Sequence, residues 1–181
     1  MEYPSRMYLT GFMGCGKSHS GRLLARQIGY AFADLDDIFE QSAGCSIAAY
    51  FSRYGEAAFR QKEAETLRGT AALEHHVIAC GGGTPCFHAN MEWINAHGLS
   101  IYLKASPPLL AARLLPERAH RPLLRDIRDT DLEDFIREKL AAREPFYEKA
   151  AVWFDQDRAD GNDLEEALKH FLTNADSHGR H

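Results

Sequence analysis

Two kinds of block alternate along the chain. Short, mostly apolar runs at Met7–Thr10, Tyr30–Ala33, His76–Cys80, Ser100–Lys104 and Val152–Phe154 have the length of buried strands. Between them lie stretches with helical spacing. Ser20–Ile28 puts Leu23, Leu24 and Ile28 on one face and closes on Gly29, Asp37–Ala43 stops at Gly44, and Ser46 is placed to cap a helix opening at Ile47. Further helices are predicted over Glu56–Leu73, Asn90–His97 before Gly98, Pro107–Leu115 with its proline in the first turn, Leu132–Leu140, and Leu164–Leu172. Pro145 reads as a helix break. This alternation, with no internal repeat, implies an α/β fold: a three-layer α/β/α sandwich around a central five-stranded parallel sheet, wound through right-handed crossovers.

One stretch departs from the pattern. Residues 116–130 are charged and aperiodic, carry Arg118, Arg121, Arg125 and Arg128, and read as a mobile lid. The expected organisation is one domain over 1–173, with a polar tail at 174–181 that frays.

Composition narrows the class. A chain of 181 residues that is 45% hydrophobic can bury one sizeable core. Its net charge of −5 and lack of a Lys/Arg block argue against nucleic acid as a partner, so anionic ligands must be met by local arginines, helix N-termini and a metal ion. The cysteines Cys15, Cys45, Cys80 and Cys86 form no C-x-x-C pair and read as reduced, small apolar filler, with Cys15 alone open to alkylation. No apolar run approaches the roughly 18 residues of a membrane span. Gly11, Gly14 and Lys17 fall where a signal peptide needs its apolar stretch, so a cytoplasmic monomer is expected, with no membrane partner.

The most specific chemistry lies just after the first strand. Gly11-Phe12-Met13-Gly14-Cys15-Gly16-Lys17-Ser18 matches G-x-x-x-x-G-K-[ST] between a strand-like and a helix-like run. Its glycines let backbone N–H groups curl around phosphate oxygens, Lys17 reaches the β and γ phosphates, and the Ser18 hydroxyl suits Mg²⁺. Asp34 and Asp36 follow at the C-terminal end of the second strand, where ligands bind in open α/β sheets.

In order, the phosphate loop, Asp34-Leu35-Asp36, Gly55-Glu56-Ala57-Ala58-Phe59-Arg60 with Glu63, Gly81-Gly82-Gly83, Arg121-Pro122-Leu123 and Arg143-Glu144-Pro145-Phe146-Tyr147 resemble the shikimate kinase family from Met7 to about Leu172. The resemblance implies a P-loop fold akin to nucleoside monophosphate kinases. It also implies transfer of the ATP γ-phosphoryl group to the 3-hydroxyl of shikimate, on the route to chorismate and aromatic amino acids. Gly14, Cys15, Gly16, Lys17, Ser18, His19 and Arg121 would bind ATP. Ser18 would ligate Mg²⁺ directly and Asp34 through water. Asp36, Arg60, Gly81, Gly82, Gly83 and Arg143 would bind shikimate, with Asp36, Lys17 and Arg121 catalytic. Arg60 and Arg143 would grip the substrate carboxylate and Asp36 its ring hydroxyls; Arg113 approaches the adenine side.

Other readings of the same residues stand beside these. Arg60 could belong to an exposed helical ion-pair ladder with Glu56 and Glu63, and Asp36 could simply favour a helix N-terminus. The family commonly has Thr where this chain has His19, and the acidic tract 155–163 aligns with no adenine-binding motif. Rival functions are another small P-loop kinase, acting on gluconate or a nucleoside monophosphate, and a catalytically silent nucleotide-binding protein.

Overall fold

The computed structural model describes residues 3–117, 124, 127–158 and 164–178, with side chains through Asn174. Five strands form one parallel sheet in the order β2-β3-β1-β4-β5: β1 is Arg6–Thr10, β2 Ala31–Asp34, β3 His76–Ala79, β4 Leu99–Lys104 and β5 Val152–Asp155. The central strands are apolar because both faces are covered: Met7, Tyr8, Leu9, Val77, Ile78 and Ile101 are fully buried. Neighbouring β1 and β3 run in register from Arg6 beside His76 to Leu9 beside Ala79. Their C-terminal ends thus reach the same edge, where the phosphate loop and the glycine triplet leave the sheet.

Helix α1, Lys17–Ile28, buries Gly21, Leu24 and Ala25 and ends on Gly29 in the left-handed conformation. It starts earlier than expected, and Leu23 is exposed rather than sharing the apolar face with Leu24. Helix α2, Leu35–Ala43, follows β2 directly, so Asp36 lies in its first turn. Helix α3, Ile47–Gly69, is capped by Ser46, whose side chain accepts from Ala49 N, and is broken at Gly55 (φ 79°, ψ 175°). That break turns the Ile47–Tyr54 segment relative to the part carrying Arg60 and Glu63. A 3-10 turn at Thr70–Ala72 replaces the expected last helical turn.

Helices α4, Asn90–His97, and α5, Pro107–Leu114, match their expected extents closely. Helix α6 differs: it spans Leu132–Tyr147 and runs through Pro145. Proline there forfeits a helical hydrogen bond, but the turn beyond it is fixed from outside, because Tyr147 is fully buried and its hydroxyl donates to Gly82 O. Helix α7, Leu164–His178, continues past Leu172 into the tail left to fray. Most of the lid and the second half of the acidic tract, Arg118, Arg121 and Arg125 included, lie outside the described residues. Arg128 is described, and pairs with Asp131 at 2.7 Å. No helix among the described residues is long and apolar enough to cross a membrane.

Candidate active site

The chain leaves β1 through Gly11, winds through Gly14 and Gly16 with positive φ, and enters α1 at Lys17. Lys17 Nζ donates to the carbonyls of Gly11 at 2.8 Å and Phe12 at 3.0 Å, so its ammonium is held across the mouth of the loop. Ser18 Oγ donates to Asp34 Oδ2 at 2.6 Å, and the other oxygen of Asp34 accepts from Asp36 N at 3.1 Å. One carboxylate therefore orients the loop hydroxyl and caps α2. His19 is exposed and lines the same pocket with Asp34, Asp36, Cys80, Gly81, Gly82, Arg113 and Gln156. Cys15 departs from the expectation of an open thiol: it is 1% exposed and packs into the core beneath the loop. Burial also raises the Cys80 thiol and pushes Cys86 up to about 11.

A second pocket adjoins the first. It is lined by the apolar Ile47, Phe51 and Phe59 together with Arg60, Glu63, Gly83 and Arg143. Met13, Asp36, Gly81 and Gly82 line both. At this junction the Asp36 carboxyl is open to the cleft, yet hemmed in by protein. That desolvation, then the charges of Asp34 and Glu63, raises it to about 6, against the opposing pull of Lys17.

The arginines are held differently. Arg60 pairs with Glu63 at 2.9 Å and Glu56 at 3.5 Å, but this is no exposed ladder: the Arg60 side chain is 13% exposed and that of Glu63 5%. Its guanidinium lies over the Phe87 ring at 4.2 Å. Its Nε is the end that faces Glu56 Oε1, at 3.5 Å, and is shielded from solvent. Arg143, on α6, lies 5.5 Å from the Phe12 ring centroid and makes no ion pair with a carboxylate among the described residues.

A side chain at Gly83 would crowd the guanidinium: a Cβ there would sit 2.7 Å from an Arg60 terminal nitrogen, so Arg60 would have to shift. Sequence reasoning brought Asp36, Arg60, Arg143 and the triplet to one place but gave no role to three supporting residues. Glu63 accepts from Arg60 and, at 2.6 Å, from Thr84 Oγ1, which fixes the guanidinium to the turn after the triplet. Tyr147, its phenol held neutral by burial, anchors the Gly82 carbonyl. Gln156 donates to the Cys15 carbonyl at 2.8 Å. Glu63 sits in a visible i,i+3 pair with Arg60, whereas Tyr147 was hidden behind the proline.

Known proteins share this chain's sequence and fold. The family model described as shikimate kinase matches residues 13–174. The shikimate kinase of Parabacteroides distasonis is 40% identical over 171 residues, covering 92% of this chain and 99% of that one. In three dimensions, the crystal structure of shikimate kinase from Bacteroides thetaiotaomicron superposes with a TM-score of 0.85 at 35% identity, over 96% of this chain and 99% of that chain. Shikimate kinase from Acinetobacter baumannii in complex with shikimate gives 0.83 at 30% identity, over 94% of each. With its parallel sheet, phosphate loop and adjoining arginine-lined pocket, the chain belongs to the shikimate kinase family.

Proposed function

We propose that this chain transfers the γ-phosphoryl group of ATP to the 3-hydroxyl of shikimate, giving ADP and shikimate 3-phosphate. The observation that carries the reading is the meeting of two unlike pockets at Asp36. One offers backbone N–H groups and an ammonium suited to phosphates. The other offers two arginines beside an apolar wall, which suits a small ring bearing a carboxylate.

The reading gives each residue a role. Arg60 and Arg143 bind the substrate carboxylate through their guanidinium groups, which line the acceptor pocket. Gly81, Gly82 and Gly83 let the ring approach the backbone. Asp36 accepts a hydrogen bond from the attacking hydroxyl; a carboxyl near 6 is largely ionised at neutral pH, yet basic enough to take the proton as the O–P bond forms. Lys17 exchanges its carbonyl contacts for β and γ phosphate oxygens, and Gly14, Cys15, Gly16 and His19 complete the phosphate cradle. Arg121, which lies outside the described residues, is assigned in this reading to the ATP phosphates, whose charge it would help neutralise.

The donor set fits Mg²⁺. Ser18 Oγ and Asp34 Oδ2, 2.6 Å apart, are hard oxygen donors beside the phosphate cradle, so Ser18 would bind the ion directly and Asp34 through a water. When bound, the ion supplies charge neutralisation across the β and γ phosphates.

Product analysis tests the reaction. Incubation with Mg-ATP and shikimate should give a phosphate monoester on the 3-hydroxyl by phosphorus NMR. Phosphate on another hydroxyl, or free inorganic phosphate in its place, would overturn the assignment.

A further inference from the structure

The acidic tract after β5 matched no adenine-binding motif, but its described half is fastened at both ends. Gln156 N donates to Lys104 O at 2.9 Å, and Asp157 N to Asp155 Oδ1 at 3.1 Å. The Asp157 carboxylate accepts from Ser106 N at 2.7 Å and Ser106 Oγ at 2.5 Å, at the N-terminus of α5. This turn carries the Gln156 side chain to the phosphate loop, far away in sequence. Gln156 Nε2 donates to the Cys15 carbonyl at 2.8 Å, and Gln156 Oε1 accepts from Arg113 at 2.6 Å. The same Arg113 nitrogen also lies 3.5 Å from the Cys15 carbonyl. All three residues line the donor pocket.

We propose that Gln156, backed by Arg113, is a positioning residue that clamps the Cys15–Gly16 peptide in its phosphate-binding orientation. In a planar trans peptide the carbonyl and the next N–H point in opposite directions. Holding the Cys15 oxygen on the Gln156 amide therefore aims the Gly16 N–H the other way, toward the phosphates. Rotating that peptide would turn a carbonyl oxygen on them instead. The rotation is cheap at this point, because it is absorbed by Cys15 ψ and Gly16 φ, and glycine accepts either sign of φ; here it is 85°. An external anchor is what selects one orientation. The inference rests on reading this loop as the ATP site, and it gives the acidic turn a use: Asp157 secures the turn so that Gln156 can hold the loop.

The test is Gln156→Met, neutral and of similar length, beside the wild type. For the folded variant we expect Mg-ADP affinity by calorimetry to fall about tenfold and the KM for ATP to rise by a similar factor, the scale of one hydrogen bond in a charged site. Adenosine affinity, the KM for shikimate and the melting temperature should hardly change, because the clamp acts on phosphates alone. Asp157→Ala, which frees the turn from α5, should shift ADP affinity the same way by about threefold. Equal losses of adenosine and ADP would overturn the clamp, as would unchanged ADP affinity in Gln156→Met. The wild-type titration separates the two claims: its own ADP binding and shikimate turnover carry the functional reading, and the difference from Gln156→Met carries the clamp.

Discussion

The two pockets that meet at Asp36 are built by opposite means. The donor side is built around one contiguous loop, Gly11–Ser18, which offers backbone N–H groups, takes its shape from glycine dihedrals and is held from outside by Asp34, Arg113 and Gln156. The acceptor side is gathered from separate elements: α2 for Asp36, α3 for Arg60 and Glu63, the turn after β3 for the triplet, and α6 for Arg143. Its binding groups are side chains, fixed by ion pairs and ring contacts. The difference teaches where each half is vulnerable. A backbone cradle tolerates side-chain change but needs its peptides oriented, whereas a side-chain grip fails when any one supporting residue lets go.

The sharpest way to break the comparison is Asp36→Asn, at the junction. Turnover should fall by about 10²–10⁴-fold, the range for losing a general base, while Mg-ATP affinity stays within a few-fold. A matching loss of ATP affinity would make Asp36 part of the donor half. Next in size is Arg60→Lys. An ammonium cannot form the planar fork, so the KM for shikimate should rise on the order of tenfold or more with the KM for ATP unchanged. An unchanged shikimate KM would reduce Arg60 to a structural ion pair with Glu63.

Gly83→Ala probes the grip without touching a charge. Its methyl would lie 2.7 Å from the Arg60 guanidinium, so Arg60 must move, and shikimate KM should rise roughly tenfold with ATP unaffected. Equal kinetics in that variant would show that Arg60 can shift without cost to substrate.

The smallest effect concerns pH and stability. Asp36 rises to about 6 in the fold from roughly 3.9 in an unfolded chain, so the fold holds this proton more tightly. Its contribution to stability is present below pH about 4 and is lost as pH rises through 6. Asp36→Asn should thus melt at the same temperature as wild type near pH 4 and at a higher one at pH 7. In wild type, kcat/KM should fall as pH drops below about 6. A melting difference that shrinks with rising pH would contradict the raised carboxyl.

This contrast also explains how much could be read from the sequence. The donor loop was legible because its chemistry is local: a strand, a glycine-rich turn and a helix start appear consecutively. The sheet was legible for a similar reason, since strands buried on both faces read as short apolar runs. On local spacing alone, Arg60 looked like a surface ladder, and only the ordered family pattern joined it to Asp36 and Arg143. Neither route showed that Glu63 is buried, because its partner Thr84 is distant in sequence. Pro145 misled for a physical reason. Local propensity predicts a stop, and the tertiary anchor of Tyr147 on Gly82 carries the helix beyond it. Cys15 misled similarly: a residue inside an exposed motif can still face the core.

The central claim is that the acceptor pocket fits one class of substrate, a small ring with a carboxylate and hydroxyls. Coupled ADP release under Mg-ATP tests it directly, with shikimate, gluconate and AMP offered separately. The account predicts ADP release that saturates with shikimate and stays at background with gluconate and AMP. Equal rates with all three, or none above background with shikimate, would contradict it.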